Sequence, residues 1–147
     1  MTRKIIFSFL FAFGIIVFVG CSSNVSLRGT VTYSDDDSPL TGGTVCLSST
    51  SGTMSRGDVQ SDGTYVMGTK NPGDGVPPGT YSVFLINTEV TEQVPVGTSG
   101  DFTDVSVQLV DSKYNSASSS EMTLTVDKST KTFDFKVERY KGKQQGR

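Results

Sequence analysis

Thiols are the most nucleophilic side chains in this protein, because its 147 residues include two cysteines and no histidine. Cys21 follows Gly20 at the end of an almost wholly apolar run, residues 5–19, and Arg3 and Lys4 precede that run. A basic start, an apolar stretch and a small residue before a cysteine are the parts of a cleaved export signal. At 1.5 Å per residue the run is about 22 Å long, which is shorter than the roughly 30 Å hydrocarbon core of a bilayer. We therefore expect a removable signal and not a membrane-spanning helix.

The motif Phe18-Val19-Gly20-Cys21 resembles a bacterial lipobox. The resemblance implies that the chain is cut after Gly20, that Cys21 is lipidated on sulfur, and that the new N-terminus is acylated, with palmitate among the expected chains. Acyl chains of this kind hold a protein on a membrane. Ser22 after the cysteine is consistent with the outer membrane or the periplasmic face of the cell envelope. The alternative is an ordinary secretory signal whose cleavage leaves a cysteine.

Apart from Cys21, few residues are placed for chemistry. Without histidine the chain cannot build a His-based triad, a histidine general base or a His metal site. Cys46 lies in an apolar run, so we expect a small buried residue and not a reactive thiol. The carboxylates at 35–37 lack the alternating spacing of a calcium loop, which favours a solvated turn. The sequence predicts no enzyme, metal or cofactor, although composition alone leaves a Ser/Lys or carboxylate-pair enzyme open.

The length and net charge of the sequence indicate a single, mildly acidic domain. Two of the 13 basic residues, Arg3 and Lys4, would leave with the signal, so that 11 remain against 15 acidic ones and the net charge is −4. This balance argues against nucleic acid as a partner, for which a basic face is expected. The expected organisation is a lipoprotein signal peptide at 1–20, a tether at 21–24, one domain at 25–138 and a flexible basic tail at 139–147.

Alternation of apolar and polar side chains predicts an all-β domain, because no window outside the signal shows a helical period. The clearest strand is 80–86, whose far end is apolar on both faces, which favours an interior position. Asp62-Gly63 predicts a hairpin between its flanking strands. Further strands are expected at 25–33, 44–47, 54–60, 65–67, 105–109, 122–126 and 132–137. Seven or eight short strands predict a β-sandwich, preceded by a signal helix.

The last strand is predicted to complete the core. Phe133 and Phe135 are expected to face Val83 and Leu85 across it, so that truncating a phenylalanine would cost about 3–5 kcal/mol. The segment 87–103 is polar with scattered valines, and we expect a long excursion there that can include one edge strand.

Four short motifs occur in order along the chain: Leu27-Arg28-Gly29-Thr30-Val31, then Pro39-Leu40-Thr41-Gly42-Gly43-Thr44-Val45-Cys46-Leu47, then Asp62-Gly63-Thr64-Tyr65, then Pro78-Gly79-Thr80-Tyr81-Ser82-Val83. Together they resemble the carboxypeptidase regulatory-like domain over about residues 25–138, although Gly43 stands where that family more often has alanine. The later Lys113-Tyr114 looks similar to a version found in small lipoproteins of planctomycete-type bacteria. The resemblance implies a transthyretin-like β-sandwich with Greek-key topology and an accessory, non-catalytic role.

Two functions remain open. The first is a structural or protein-interaction module tethered to the cell envelope. The second is a small-ligand or glycan-binding module on the cell surface, for which exposed aromatic rings would be needed. Tyr114 is the speculative ligand-binding residue and Tyr140 the other aromatic to consider, with packing over the end of the domain as the alternative for Tyr114.

Overall fold

The computed structural model describes residues 23–98 and 100–142, together with the backbone of Gln145–Gly146. Its regular structure is almost entirely β, which confirms the all-β prediction; Cys21 and the predicted signal helix lie outside the described residues. The strands are β1 (Arg28–Tyr33), β2 (Thr44–Ser49), β3 (Met54–Asp58), β4 (Thr64–Val66), β5 (Gly79–Ile86), β6 (Glu89–Val96), β7 (Asp101–Gln108), β8 (Met122–Val126), β9 (Phe135–Val137) and β10 (Gln145–Gly146). One short 3-10 helix, Ser112–Asn115, precedes β8.

The strand β5 is central to a four-stranded antiparallel sheet with the order β3-β2-β5-β8. Its alternation buries Tyr81, Val83 and Leu85, none of which is more than 2 % exposed. Val83 lies opposite Leu47 in β2 and Met122 in β8. The predicted interior position is confirmed, because both edges of the strand pair with a neighbour.

A second sheet has the order β4-β1-β9, in which β1 is antiparallel to β4 and parallel to β9. The Asp62-Gly63 turn is present, with Gly63 at φ 81° and the Gln60 amide donating to the Thr64 carbonyl at 2.8 Å. The predicted hairpin is present only in part: Arg56 and Gly68 exchange two backbone hydrogen bonds of 2.8 Å across this turn, but β3 forms its ladder with β2 and β4 forms its ladder with β1. Asp-Gly fixes the local backbone only, and the chain uses this turn to pass from one sheet to the other.

Both sheets contribute to one hydrophobic core. Val25, the first core residue after the tether, exchanges two backbone hydrogen bonds of 2.8 and 2.9 Å with Val76. Since Val76 lies just before β5, the tether reaches the core near the beginning of that strand. The largest fully buried side chains are Tyr65, Leu27, Leu40, Leu47, Met67, Leu85, Val31, Val45, Val76, Val83, Val110 and Val126.

Cys46 of β2 is a free, fully buried cysteine, as predicted. Burial raises the pKa of its thiol, because the low-dielectric interior disfavours the thiolate. The side chain is therefore a small core residue with little nucleophilic character.

Phe133 and Phe135 were predicted to face Val83 and Leu85 across the core; both pack against the core, but neither is fully buried. Val137 is the fully buried residue of β9, whereas the two phenylalanines are half-buried against the core. Their rings stack with centroids 5.1 Å apart, and Phe135 meets Tyr65 edge-on at 6.2 Å. The reason is position: β9 is the edge of its sheet, where side chains lose cover on one side.

Candidate functional site

The predicted lipidation site at Cys21 and cleavage site at Gly20 lie outside the described residues, so lipidation stays a prediction. Within residues 23–98, 100–142 and 145–146, no helix has the length and apolar character needed to cross a membrane.

Tyr114 lies in the 3-10 helix and is 8 % exposed within the core. Asp111 begins this helix by accepting the Lys113 amide at 3.0 Å, and the Lys113 Nζ lies 5.0 Å from the centre of the Tyr114 ring. The Tyr114 ring is therefore packed inside the protein, as in the alternative considered above, and is not presented to a ligand. Tyr140 is half-buried.

The aspartates at 35–37 form an ion-paired turn. The Arg139 guanidinium donates to Asp35 at 3.0 Å and to Asp36 at 3.0 and 3.1 Å, while Lys136 pairs with the third carboxylate at 2.5 Å. Among the residues that the structure describes, no group of three or more acidic, cysteine or histidine side chains is arranged to hold a metal. The turn instead ties Arg139, the first residue of the predicted tail, to the end of β1.

The strongest candidate for an interaction site is the hairpin of β6 and β7, residues 89–108, which we call the arm. Its strands are in register from Glu89 opposite Gln108 to Val96 opposite Asp101. The arm belongs to a separate sheet with the order β10-β7-β6. In the described part of the chain, no arm residue belongs to the hydrophobic core.

Thr88, which is 2 % exposed, fixes the base of the arm. Its hydroxyl accepts from Gln108 Nε2 at 2.8 Å and donates to Asn115 at 3.4 Å, and its carbonyl accepts the Leu109 amide at 2.8 Å. Asn87 adopts the left-handed conformation at φ 55°, which turns the chain out of β5. The arm therefore leaves the core through a hydrogen-bonded base.

The two faces of the arm differ, because alternate side chains of a strand point to opposite faces. One face, which we call the valine face, carries Val90, Val94, Val96, Val105 and Val107, together with the acidic Glu92 and Asp101. Four of these valines are half-buried and Val96 is 48 % exposed.

The other face, which we call the polar face, lines an open groove of about 750 Å³. Gln93 donates to Asp104 at 3.2 Å across the two strands, and Ser106 donates to Glu89 at 3.1 Å. The groove therefore presents carboxylate and amide groups to whatever enters it.

Phe102 stands at the far end of the polar face and is 65 % exposed. It lies opposite Pro95, next to the turn in which Gly97 and Gly100 adopt φ values of 67° and 81°. Sequence reasoning did not select Phe102, because alternation alone does not tell which side of an isolated hairpin meets solvent.

The strand β6 is an edge strand among the described residues. Thr88 and Leu109 continue the β6–β7 register by one pair, and the Leu109 amide donates to the Thr88 carbonyl. Since hydrogen-bonded pairs alternate along an antiparallel ladder, the residues of β6 that bond to β7 are the even-numbered ones. Pro95 falls in the other phase, where its missing N–H does not interrupt the ladder. The residues whose backbone groups point to the outer edge are Glu89, Thr91, Gln93 and Pro95.

The arm is also acidic. The sequence has no lysine or arginine between Lys70 and Lys113. The exposed acidic residues of the arm are Glu89, Glu92, Asp101 and Asp104.

A second open cleft, of about 580 Å³, lies beside β3. Arg56, Lys70 and Asp58 line it, so that its side chains carry both signs of charge. It therefore indicates no preference for an anionic or a cationic ligand.

Comparison with known proteins adds no relative, because no protein-family model, no curated protein and no solved structure matches this chain. The likeness of its motifs to the carboxypeptidase regulatory-like domain therefore stays a hypothesis drawn from the sequence.

Proposed function

We propose that this protein is a cell-envelope lipoprotein, anchored through lipidated Cys21, whose non-catalytic β-domain acts as a protein-interaction module. Two observations support the anchor: the apolar export signal ends in Gly20-Cys21, and the folded core begins at Val25, only a short tether later. We also propose that the two core sheets pack as a Greek-key β-sandwich of the carboxypeptidase regulatory-like type. The single core that both sheets share supports this architecture.

The observation that carries the interaction function is the arm. Ordering a hairpin of two eight-residue strands costs conformational entropy, yet the arm contributes no residue to the core that the described residues form. Its far end exposes Phe102 on the polar face and Val96 on the valine face. An ordered element with exposed apolar side chains outside the core is typical of an interaction surface.

The shifted titratable groups support structural and not catalytic roles. The pKa of Asp62 is lowered by hydrogen bonds from the hydroxyl and amide of Thr64, and that of Asp127 by the hydroxyl and amide of Ser129. Each carboxylate thus stabilises its own turn. Burial raises the pKa of the Cys46 thiol, which weakens it as a nucleophile.

Site-directed photo-crosslinking in intact cells tests the interaction function. A photoreactive residue at position 102 is compared with one at position 66, because Val66 is 53 % exposed but lies in β4, which pairs with β1 and not with the arm. We expect a discrete cross-linked protein from position 102 and none from position 66. Equal cross-linking at both positions, or none at position 102, would refute the arm as the interacting element.

Mass spectrometry of the mature N-terminal peptide tests the anchor separately. We expect Cys21 to be the first residue and to carry acyl chains. An unmodified cysteine at this position would remove the lipoprotein from the proposal and leave the arm unaffected.

A glycan-binding function is the second candidate, and the exposed Phe102 ring beside the polar groove favours it. Aromatic rings stack on sugar faces, and carboxylate and amide groups bind hydroxyls. A glycan array with the Ser22–Arg147 chain, repeated with Phe102→Ala, tests it. Binding that depends on Phe102 would replace the protein-interaction function with this one.

A further inference from the structure

The outer edge of β6 indicates which kind of partner the arm takes. We infer that this edge receives an extended, basic segment of another protein as an added β-strand, with its lysine or arginine side chains over the polar face and aliphatic side chains over the valine face. The inference rests on the interaction function proposed above and names the partner's chemistry.

The backbone supplies the first argument. The outward-facing residues Glu89, Thr91 and Gln93 offer donors and acceptors that no other described strand takes up. Such a row is a template for strand addition, in which main-chain hydrogen bonds provide affinity. Pro95 has no N–H to offer in the same phase, so the added strand pairs with the part of β6 that precedes it.

Charge supplies the second argument. Glu89 and Asp104 lie on the polar face and are exposed, and no salt bridge of the described residues involves either of them. A basic strand would meet opposite charge at these positions, whereas a second copy of the arm would meet its own sign. The acidity of the arm therefore disfavours pairing between copies and favours a cationic partner.

The chain itself supplies the third argument. On the opposite edge of the arm, β10 pairs with β7, placing Gln145 opposite Ser106 and Gly146 opposite Val105. The segment that contains β10, residues 139–147, has four basic residues in its sequence and no acidic one. The arm thus already has a strand from a basic segment on one edge, and β6 presents the corresponding edge on the other side.

The two faces of the arm determine which side chains should alternate along the partner segment. Side chains of an added strand alternate between the faces of the arm. Those on one side lie next to Glu89, Thr91 and Gln93 of β6, with Asp104 one strand farther away. Those on the other side lie next to Val90 and Val94, with Glu92 between them. A segment in which basic and aliphatic residues alternate satisfies both faces at once.

The experiment uses the full mature lipoprotein in detergent and a short synthetic peptide that alternates lysine with valine. Thr91→Pro removes one outward amide and leaves the β6–β7 ladder intact, in the way that Pro95 already does; Thr91→Val keeps the amide and is the matched control. We expect Thr91→Pro to weaken peptide binding about tenfold or more, through the lost hydrogen bond and the blocked edge, and Thr91→Val to leave it unchanged within about twofold.

Two further probes keep the result interpretable. A peptide methylated on its backbone nitrogens should lose binding to the unmodified protein, which tests strand addition even where Thr91→Pro fails to fold. A peptide with glutamate in place of lysine should bind at least about tenfold more weakly, because its charges repel the arm.

Several results would overturn the inference. They are equal binding of the lysine and glutamate peptides, equal binding of the lysine peptide to the Pro and Val variants, and self-association of the protein that Thr91→Pro abolishes. If cross-linking from position 102 persists while the peptide does not bind, the inference fails and the interaction function stands. If both are absent, the interaction function fails as well.

Discussion

The strands β5 and β6 are consecutive, have eight residues each, and both carry apolar side chains at most positions of one alternating set, yet their environments are opposite. β5 pairs on both edges and buries Val83 and Leu85 completely. β6 pairs on one edge, and its valines remain outside the core of the described chain. The difference shows that alternation specifies a strand, whereas long-range neighbours decide whether that strand stabilises the core or is presented at the surface.

The largest expected difference between the two strands is in core stability. Leu85→Ala should lower the free energy of unfolding by about 2–5 kcal/mol, because it opens a cavity in a site with no exposure. The matched change Val94→Ala on the arm should lower it by no more than about 0.5 kcal/mol. Urea denaturation followed by circular dichroism measures both, and similar losses would show that the arm is part of the cooperative core.

A smaller difference in the free energy of unfolding is expected between a phenylalanine that packs against the core and the exposed phenylalanine of the arm. Phe135→Ala should lower the free energy of unfolding by about 1.5–3 kcal/mol, because the ring packs against Tyr65 but is only half-buried. Phe102→Ala should leave the free energy of unfolding within about 0.5 kcal/mol of the unmodified protein. Thermal unfolding of the two variants tests this. A large destabilisation by Phe102→Ala would mean that the Phe102 ring packs against other residues of the domain.

Hydrogen exchange should resolve the two strands amide by amide. The amide of Val83 should exchange only on global unfolding, because it lies in an interior strand of the core. Along β6 the amides of Thr91 and Gln93 should exchange at least about tenfold faster than that of Glu92, whose amide is in the phase bonded to β7. Uniform protection along β6 would contradict an open outer edge.

The smallest effect concerns the turn that connects β1 with Arg139. The hydroxyl and amide of Ser38, and then the Arg139 guanidinium, lower the pKa of Asp36 from 3.8 to about 2. Because the folded-state pKa is the lower one, this carboxylate stabilises the fold above pH 3.8, and the contribution is lost as the pH falls towards 2.

Asp36→Asn removes that contribution, so the stability difference between variant and parent should be constant at neutral pH and should shrink across this acidic window. Stability curves against pH measure it, with Asp37→Asn in the same turn as the control. A difference that grows on acidification would contradict the sign of the shift.

Much of the core was predictable from the sequence, because its pattern is local. The alternation at 80–86 and 122–126 predicted β5 and β8 nearly to the residue. The sheet that β4 joins and the partial exposure of Phe133 and Phe135 were not predictable. Both depend on residues that are far away in the sequence.

The arm was predicted only in part: an edge strand within 87–103 and a strand at 105–109 were expected, but not their pairing as one hairpin. Its valines alternate at 90, 94 and 96, and again at 105 and 107, but polar residues and Pro95 interrupt the pattern. The absence of any basic residue between Lys70 and Lys113 was the available signal for its acidity. That signal did not indicate a hairpin, because charge composition carries no information about pairing.

The bridge between Val25 and Val76 has a consequence for orientation at the bilayer. The tether meets the domain before β5 begins, and the arm leaves it after β5 ends, so the two exits are separated by a strand about 26 Å long. The four-residue tether 21–24 can span at most about 14 Å, so an acylated Cys21 could not reach the far end of β5. If Cys21 is acylated as proposed, the anchor is therefore held near the beginning of β5, whereas the arm begins at the other end of that strand.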